Sequence, residues 1–276
     1  MTVFVITFLL GCLSVMTVRG RHGNWPAGMP VARPRLVAVG GTYEGGQGRP
    51  SDAYVVQERL IAAARGVGGG DSAQAAAALA LGAVVAARPQ HGEEGLDECA
   101  QAAHRAVRTA TLTGPALTGP AGPGSAGPGS AGPGPAGPEP AGPEPVSTLD
   151  LVVLERAEIP RLRFAHVGDG EIWHCPKGGE PRRLTTPHAS GVGPPTDGAG
   201  LLPALTPEIG SVVLRPGDRV AIVTDGAIKA LGTARMMVLL AGGASPAACL
   251  DRMYDEMAAA EPKGDATVII AEFVTA

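Results

Sequence analysis

The chain has 276 residues, 22 basic and 26 acidic side chains and a formal net charge of −4, so composition gives nucleic acid or an anionic membrane surface no general electrostatic claim on it. Its hydrophobic content of 45% is enough for a sizeable core, but aromatics at 3% mean that core is built from Ala, Val, Leu and Ile. The four cysteines, Cys12, Cys99, Cys175 and Cys249, form no C-x-x-C pair, so no zinc ribbon or redox dithiol is readable and they are taken as ordinary reduced side chains.

Thr2 to Val18 is an uncharged run of 17 residues followed by Arg19 and Arg21. As a helix it would span roughly 25 Å, short of a ~30 Å hydrocarbon core. No basic residue precedes the run and no clear small-residue cleavage site ends it, as an export signal requires. The arginines after it favour keeping the rest of the chain in the cytoplasm. Three readings stay open: an anchor through residues 2–18 that tethers a cytoplasmic protein to the membrane, a leader from a mis-assigned start, and export. Residues 1–30 are therefore set apart from a domain over 31–276.

From Val31 onward short strands and helices alternate. Arg35 to Val39 and Ala53 to Val56 read as strands, and Leu60 to Ala64 as a short buried run ending in the glycines after Arg65. Ser72 to Arg88 reads as a helix capped by Asp71 or Ser72, with a second from about Leu96 to Thr111. Five β-rich segments follow the repeat described below: 149–155, 162–167, 171–175, 211–214 and 219–224. Helices are expected over 234–241 and 246–260, and a closing strand over 267–274. Strands at both ends with helices in blocks of two make an α+β pattern, not a βαβ one.

Between the two halves, 20 of the 32 residues from Gly114 to Pro145 are glycine or proline. Five pentapeptides run from Ala121-Gly122-Pro123-Gly124-Ser125 to Ala141-Gly142-Pro143-Glu144-Pro145. A period of five excludes a collagen triple helix, which needs glycine at every third position. With no apolar side chain larger than alanine, the pentapeptides cannot offset their ordering entropy, so 114–145 is expected to be a disordered loop inside the domain.

Three segments carry chemistry. Phe164-Ala165-His166-Val167-Gly168-Asp169-Gly170 is a strand ending in an Asp-Gly turn. Pro216-Gly217-Asp218-Arg219-Val220-Ala221-Ile222-Val223-Thr224-Asp225-Gly226 is a turn, a buried strand and another Asp-Gly. Gly264-Asp265-Ala266-Thr267 turns into the last strand. Each alone is an ordinary turn. In this order, with Leu184-Thr185-Thr186-Pro187-His188 and Leu205 to Gly210 between them, they resemble the PPM family of metal-dependent serine/threonine protein phosphatases of the 2C type. That family shows A-H-V-G-D-S-R, L-T-x-D-H, P-G-D-x-x-L-L-x-S-D-G and D-N-x-T or D-D-x-T in the same sequence. The resemblance runs from about Arg35 to Val274 and omits only the leader and the repeat.

The resemblance implies two packed antiparallel β-sheets flanked by helical pairs, with a divalent metal cluster at one edge. In the family, aspartates hold two Mg²⁺ or Mn²⁺ ions that lower the pKa of a shared water for in-line attack on phosphorus. The early R-x-x-N-E-D-A element is matched by Gln47 to Tyr54, which puts Asp52 at its last carboxylate, Ser51 in place of an acid and Gln47 in place of the phosphate-binding arginine. Arg49, two positions on, is the substitute phosphate contact. V-A-D-G-M-G-G is matched by Ala63 to Gly69, so Arg65 stands where the bridging aspartate belongs, with Gly66 after it. Asp169 matches the ligand of an accessory third metal and Asp225 a primary ligand. Gly264 occupies the first acid of D-D-x-T, and Asp265 lies one residue out of register.

The candidate metal ligands are thus Asp52, Gly66, Asp169, Asp225 and Asp265, with Arg65 and Gly264 at two usual ligand positions. Replacing a carboxylate by arginine moves the local charge by about +2, which opposes binding of two dications. Arg65 is expected to stand in for the cations by bridging Asp52 and Asp225. Three functions follow: a pseudophosphatase that binds a phosphorylated or regulatory protein, an active phosphoserine/phosphothreonine phosphatase using Mg²⁺ or Mn²⁺, or a relic with a structural role. His166 and His188 are read as hydrogen-bonded structural residues, not ligands.

Overall fold

A computed structural model of the chain describes residues 33–46, 50–68, 71–87, 93–113, 146–155, 157–188, 197–201 and 203–275. The expected anchor over 2–18, the repeat loop 114–145 and the candidate phosphate contact Arg49 lie outside them. Pro34–Thr275 makes one compact unit. Among the described residues no helix is long and apolar enough to cross a membrane.

The strands are β1 (Pro34–Tyr43), β2 (Asp52–Val56), β3 (Leu60–Val67), β4 (Val146–Ser147), β5 (Leu149–Leu154), β6 (Arg161–Val167), β7 (Glu171–Cys175), β8 (Arg182–Arg183), β9 (Glu208–Val213), β10 (Arg219–Val223) and β11 (Ala266–Thr275). The helices are α1 (Asp71–Ala87), α2 (Glu93–Thr113), α3 (Asp225–Leu231), α4 (Thr233–Ala241) and α5 (Pro246–Ala260). One sheet has the order β1-β11-β10-β7-β8 and the other β2-β3-β5-β6-β9, with β4 added beside β3. Their strand pairs are antiparallel, as the α+β reading expected.

Alternation along the strands separates three apolar layers. Ile61, Ala63, Val152, Leu154 and Leu162 of one sheet face Ile222, Ile269 and Phe273 of the other. One residue along, Ala62, Ala64, Leu149 and Leu151 turn to the opposite face and pack on α1 and α2. Trp173, Val223, Val268 and Ile270 likewise turn away from the sandwich and pack on α3, α4 and α5. A side-chain period of two produces both faces from one strand. The outer helices differ in how they reach the sheet. α1 presents Ala73, Ala76, Ala77 and Ala80 to an alanine-rich β3, so helix and strand approach closely. α5 is set by Ser245, whose hydroxyl accepts from Ala248 N at 3.2 Å, and by Pro246 in its first turn.

At Gly66 the approach of α1 is closest: a Cβ there would lie 1.7 Å from Ala73 O. Gly66→Ala should therefore push the first turn of α1 off β3 and cost about 3 kcal/mol, the upper range for overpacking. At Gly264 an added Cβ meets nothing within 4 Å, so Gly264→Ala should change stability by less than about 0.5 kcal/mol. Urea midpoints of the two variants check the contrast, and equal midpoints would refute it.

Several elements differ from the sequence reading, among them the two-residue strands β4 and β8, which it did not expect. β1 runs on through Gly40-Gly41 to Tyr43, paired with β11 along all ten residues. Asp225-Gly226, read as a turn, opens helix α3. β9 begins at Glu208, three residues early, because its pairing with β6 starts at His166 opposite Glu208.

Candidate functional site

Two strand ends from each sheet build the site. Asp52 on β2 and Arg65 on β3 are directly opposed partners, and opposed residues share a sheet face. Asp169 sits in the β6–β7 turn. From the other sheet, β10 leads through Thr224 into Asp225 at the start of α3, and β11 brings Asp265 and Thr267 alongside. All four aspartates are largely buried.

Arg65 is the centre of the cluster. Its Nη1 lies 2.6 Å from Asp225 Oδ2, a hydrogen-bonded ion pair, and 3.5 Å from Asp169 Oδ2. Lys229, one helical turn beyond Asp225, places Nζ 2.6 Å from the same Asp225 oxygen. Burial alone would lower the arginine's pKa, but Asp169, Asp225 and Asp52 together hold it above its ordinary value. Asp169 is pushed up mainly by burial, with Asp225 adding and Arg65 opposing. The expected bridge is therefore corrected in one partner. The guanidinium spans Asp225 and Asp169, not Asp225 and Asp52, and the Oδ2 of Asp52 turns instead to two hydroxyls.

Asp52 Oδ2 accepts from Thr224 Oγ1 and Thr267 Oγ1, both at 2.8 Å. Thr267 in turn contacts Thr42 Oγ1 at 2.8 Å, and its N–H donates to Thr224 Oγ1 at 2.9 Å. Burial pushes the Asp52 pKa up to about 6, against the pull of both threonines and of Arg65. Asp52 Oδ1 and Asp169 Oδ1 are buried without a hydrogen-bond partner.

Asp265 has another occupation. Its Oδ1 accepts from Gly45 N at 3.2 Å, and its Oδ2 accepts from Ser51 N and, at 3.0 Å, from Ser51 Oγ. It pins the ends of the β1–β2 connection and spends both oxygens there. Gly66 donates its N–H to Ser51 O at 2.8 Å, which ties the same connection to β3.

Two dications do not fit these residues. A guanidinium fills the place between Asp169 and Asp225, Lys229 adds a second positive charge, Gly264 offers no oxygen from a side chain, and Asp265 is committed to amides. The positive charges of Arg65 and Lys229 repel a cation at such distances and offset part of the attraction of the carboxylates. Lys229, Thr224 and Thr267 were not anticipated from the sequence. The Asp225–Lys229 spacing of four was a legible signal once α3 was recognised as a helix.

No protein-family model and no curated protein matches the chain. Solved structures do. The catalytic domain of the serine/threonine protein phosphatase PstP, in complex with two manganese ions, superposes with a TM-score of 0.69 at 17% identity, covering 88% of this chain and 100% of that one. The PPM Ser-Thr phosphatase MsPP from Mycobacterium smegmatis, in complex with cacodylate, gives 0.64 at 21% identity, covering 86% and 98%. PppA, a key regulatory component of T6SS in Pseudomonas aeruginosa, gives 0.65 at 14%, covering 87% and 100%. The fold is that of PPM-type serine/threonine phosphatases, as the motif order implied.

Proposed function

We propose that this protein is a phosphatase homologue without two-metal catalysis, a pseudophosphatase that binds a phosphorylated or regulatory protein at the Arg65 edge of its sandwich. The observation that carries the reading is Arg65 Nη1, at 2.6 Å from Asp225 and 3.5 Å from Asp169. Internal cations stand where catalytic ones would be needed, so the carboxylates are neutralised without metal and no activated water is produced.

The same guanidinium supplies the recognition chemistry. Its side chain is 26% exposed, and among the described residues only Nη1 is engaged with carboxylates. Guanidinium has five donors in a plane, matched to the oxygens of a phosphate group. Lys229, 62% exposed at its side chain, adds a second positive charge beside it. A phosphoserine or phosphothreonine side chain is the ligand that suits this pair.

The alternative is an active Mg²⁺- or Mn²⁺-dependent phosphoserine/phosphothreonine phosphatase. It rests on the unpartnered Asp52 Oδ1 and Asp169 Oδ1, which a single cation could use. Calorimetry of the full chain separates the two. The proposal expects a phosphoserine peptide to bind, at least ~10-fold more weakly to Arg65→Ala, with no Mg²⁺ binding and no p-nitrophenyl phosphate turnover in Mg²⁺ or Mn²⁺. Metal-dependent turnover by the wild type would establish the alternative, and peptide affinity unchanged by Arg65→Ala would remove Arg65 from recognition.

A further inference from the structure

The inter-sheet core closes near the site with a row of polar residues on one sheet. Asp150, His166 and Glu208 are successive cross-strand partners on β5, β6 and β9. Asp150 and His166 are fully enclosed, with 1% and 0% side-chain exposure. His166 Nδ1 lies 2.7 Å from Asp150 Oδ1, while Nε2 is buried and makes no hydrogen bond of good geometry, the Thr186 backbone being its polar neighbour. A buried imidazole with one nitrogen held by a carboxylate and the other left open is the arrangement that prepares a histidine to ligate a metal.

Two further donor residues stand beside His166. One ligand atom each from His166, His188 and Glu208 lies within 4.8 Å of the others. Glu208 is oriented from behind, its Oε2 accepting from Thr186 N at 2.9 Å. His188 is held against the β6–β7 turn: its N–H donates to Gly168 O at 2.6 Å, and Gly168 N donates to its Nδ1 at 3.3 Å. The two imidazole rings stand 4.9 Å apart, centre to centre.

We propose that His166, His188 and Glu208 form a binding site for a late first-row divalent cation, with Zn²⁺ the ion that suits it. Two imidazoles and one carboxylate are a borderline-soft donor set, whereas Mg²⁺ and Ca²⁺ are held by oxygens alone. Three protein ligands leave a fourth position for water. Zinc–ligand distances of about 2.0–2.2 Å require the donors to close in, with His188 and Glu208, both half-buried, moving toward the enclosed His166. Among the described residues, His166 and Glu208 take their hydrogen bonds from Asp150 and Thr186 and not from Asp52, Asp169 or Asp225, so the site is separate from the Arg65 cluster. Its occupation would tie β6, β9 and the 184–188 segment together directly behind the Asp169 turn.

The test is Zn²⁺ binding to the metal-stripped full chain, by competition with a chromophoric chelator and by the visible spectrum of Co²⁺ in its place. One equivalent of Zn²⁺ is expected, with a tetrahedral Co²⁺ spectrum. His188→Ala and Glu208→Gln, both at half-buried positions, should each weaken binding at least ~10-fold, and Asp150→Asn, which acts only through His166, by roughly 10–100-fold. Arg65→Asp/Gly264→Asp should bind Zn²⁺ as the wild type does, which keeps this outcome independent of the phosphatase reading. Absence of stoichiometric Zn²⁺, or affinity unchanged in both His188→Ala and Glu208→Gln, would overturn the site.

Discussion

Arg65→Asp combined with Gly264→Asp should convert a Mg²⁺-indifferent protein into one whose melting temperature depends on Mg²⁺. In the metal-stripped wild type, melting temperatures with and without millimolar Mg²⁺ should be the same, because Arg65 and Lys229 already neutralise Asp225 and Asp169. The double variant removes the guanidinium and places carboxylates at positions 65 and 264, the latter in open space. Without metal, the carboxylate introduced at position 65 would face Asp52 across the β2–β3 pair, beside Asp169 and Asp225. Repulsion among these groups should lower the melting temperature below that of the wild type. Mg²⁺ at 100 times its dissociation constant would contribute about 2.7 kcal/mol, and at about 2–4 °C per kcal/mol for a domain of this size the rise is about 5–11 °C. A wild type that itself gains several degrees in Mg²⁺ would defeat the counter-ion account. A double variant that folds and stays indifferent to Mg²⁺ would mean that more than these two ligands are missing.

Much of the fold was legible because it rests on patterns local to the chain. The alanine-rich 72–88 segment, the apolar 219–224 strand and the order of the Asp-Gly turns each carry their own period or punctuation. What misled was glycine read as punctuation. Gly40 and Gly41 lie inside β1, where a Cβ would come within 3.0 Å of the Tyr54 ring and 2.3 Å of Tyr254 Oη. They make room for aromatic side chains and do not end the strand. Asp225-Gly226 misled in the same way, and with α3 unrecognised the Lys229 contact was invisible. In the site, Asp52, Asp169 and Asp225 were found from motif positions, but the partner that each side chain chooses was not. Arg65 is opposite Asp52 in register yet pairs with Asp225 and Asp169, while two threonine hydroxyls from the other sheet, 172 and 215 residues away, take Oδ2 of Asp52. Such choices depend on how two sheets stack, which no spacing along one strand encodes.

Asp52 offers a measurement that reads the electrostatic state of the site without any ligand. It is 8% exposed, and burial raises its pKa from 3.8 to about 6. An acid whose pKa rises on folding holds its proton more tightly in the native state than in the unfolded chain. Its contribution to stability is therefore fully present below about pH 4 and is lost as pH rises through about 6. At about 1.4 kcal/mol per pKa unit the loss is about 3 kcal/mol by pH 7.5. Asp52→Asn keeps an oxygen for the Thr224 and Thr267 hydroxyls but cannot ionise. Urea midpoints at pH 4.5, 6.0 and 7.5 should show the variant gaining on the wild type with each step, to about 3 kcal/mol at the highest pH. A resident dication beside Asp52 would reverse the sign, since it favours the carboxylate and would make the wild type gain on the variant as pH rises. The slope of that difference thus separates a site neutralised by its own arginine and lysine from one that holds a metal.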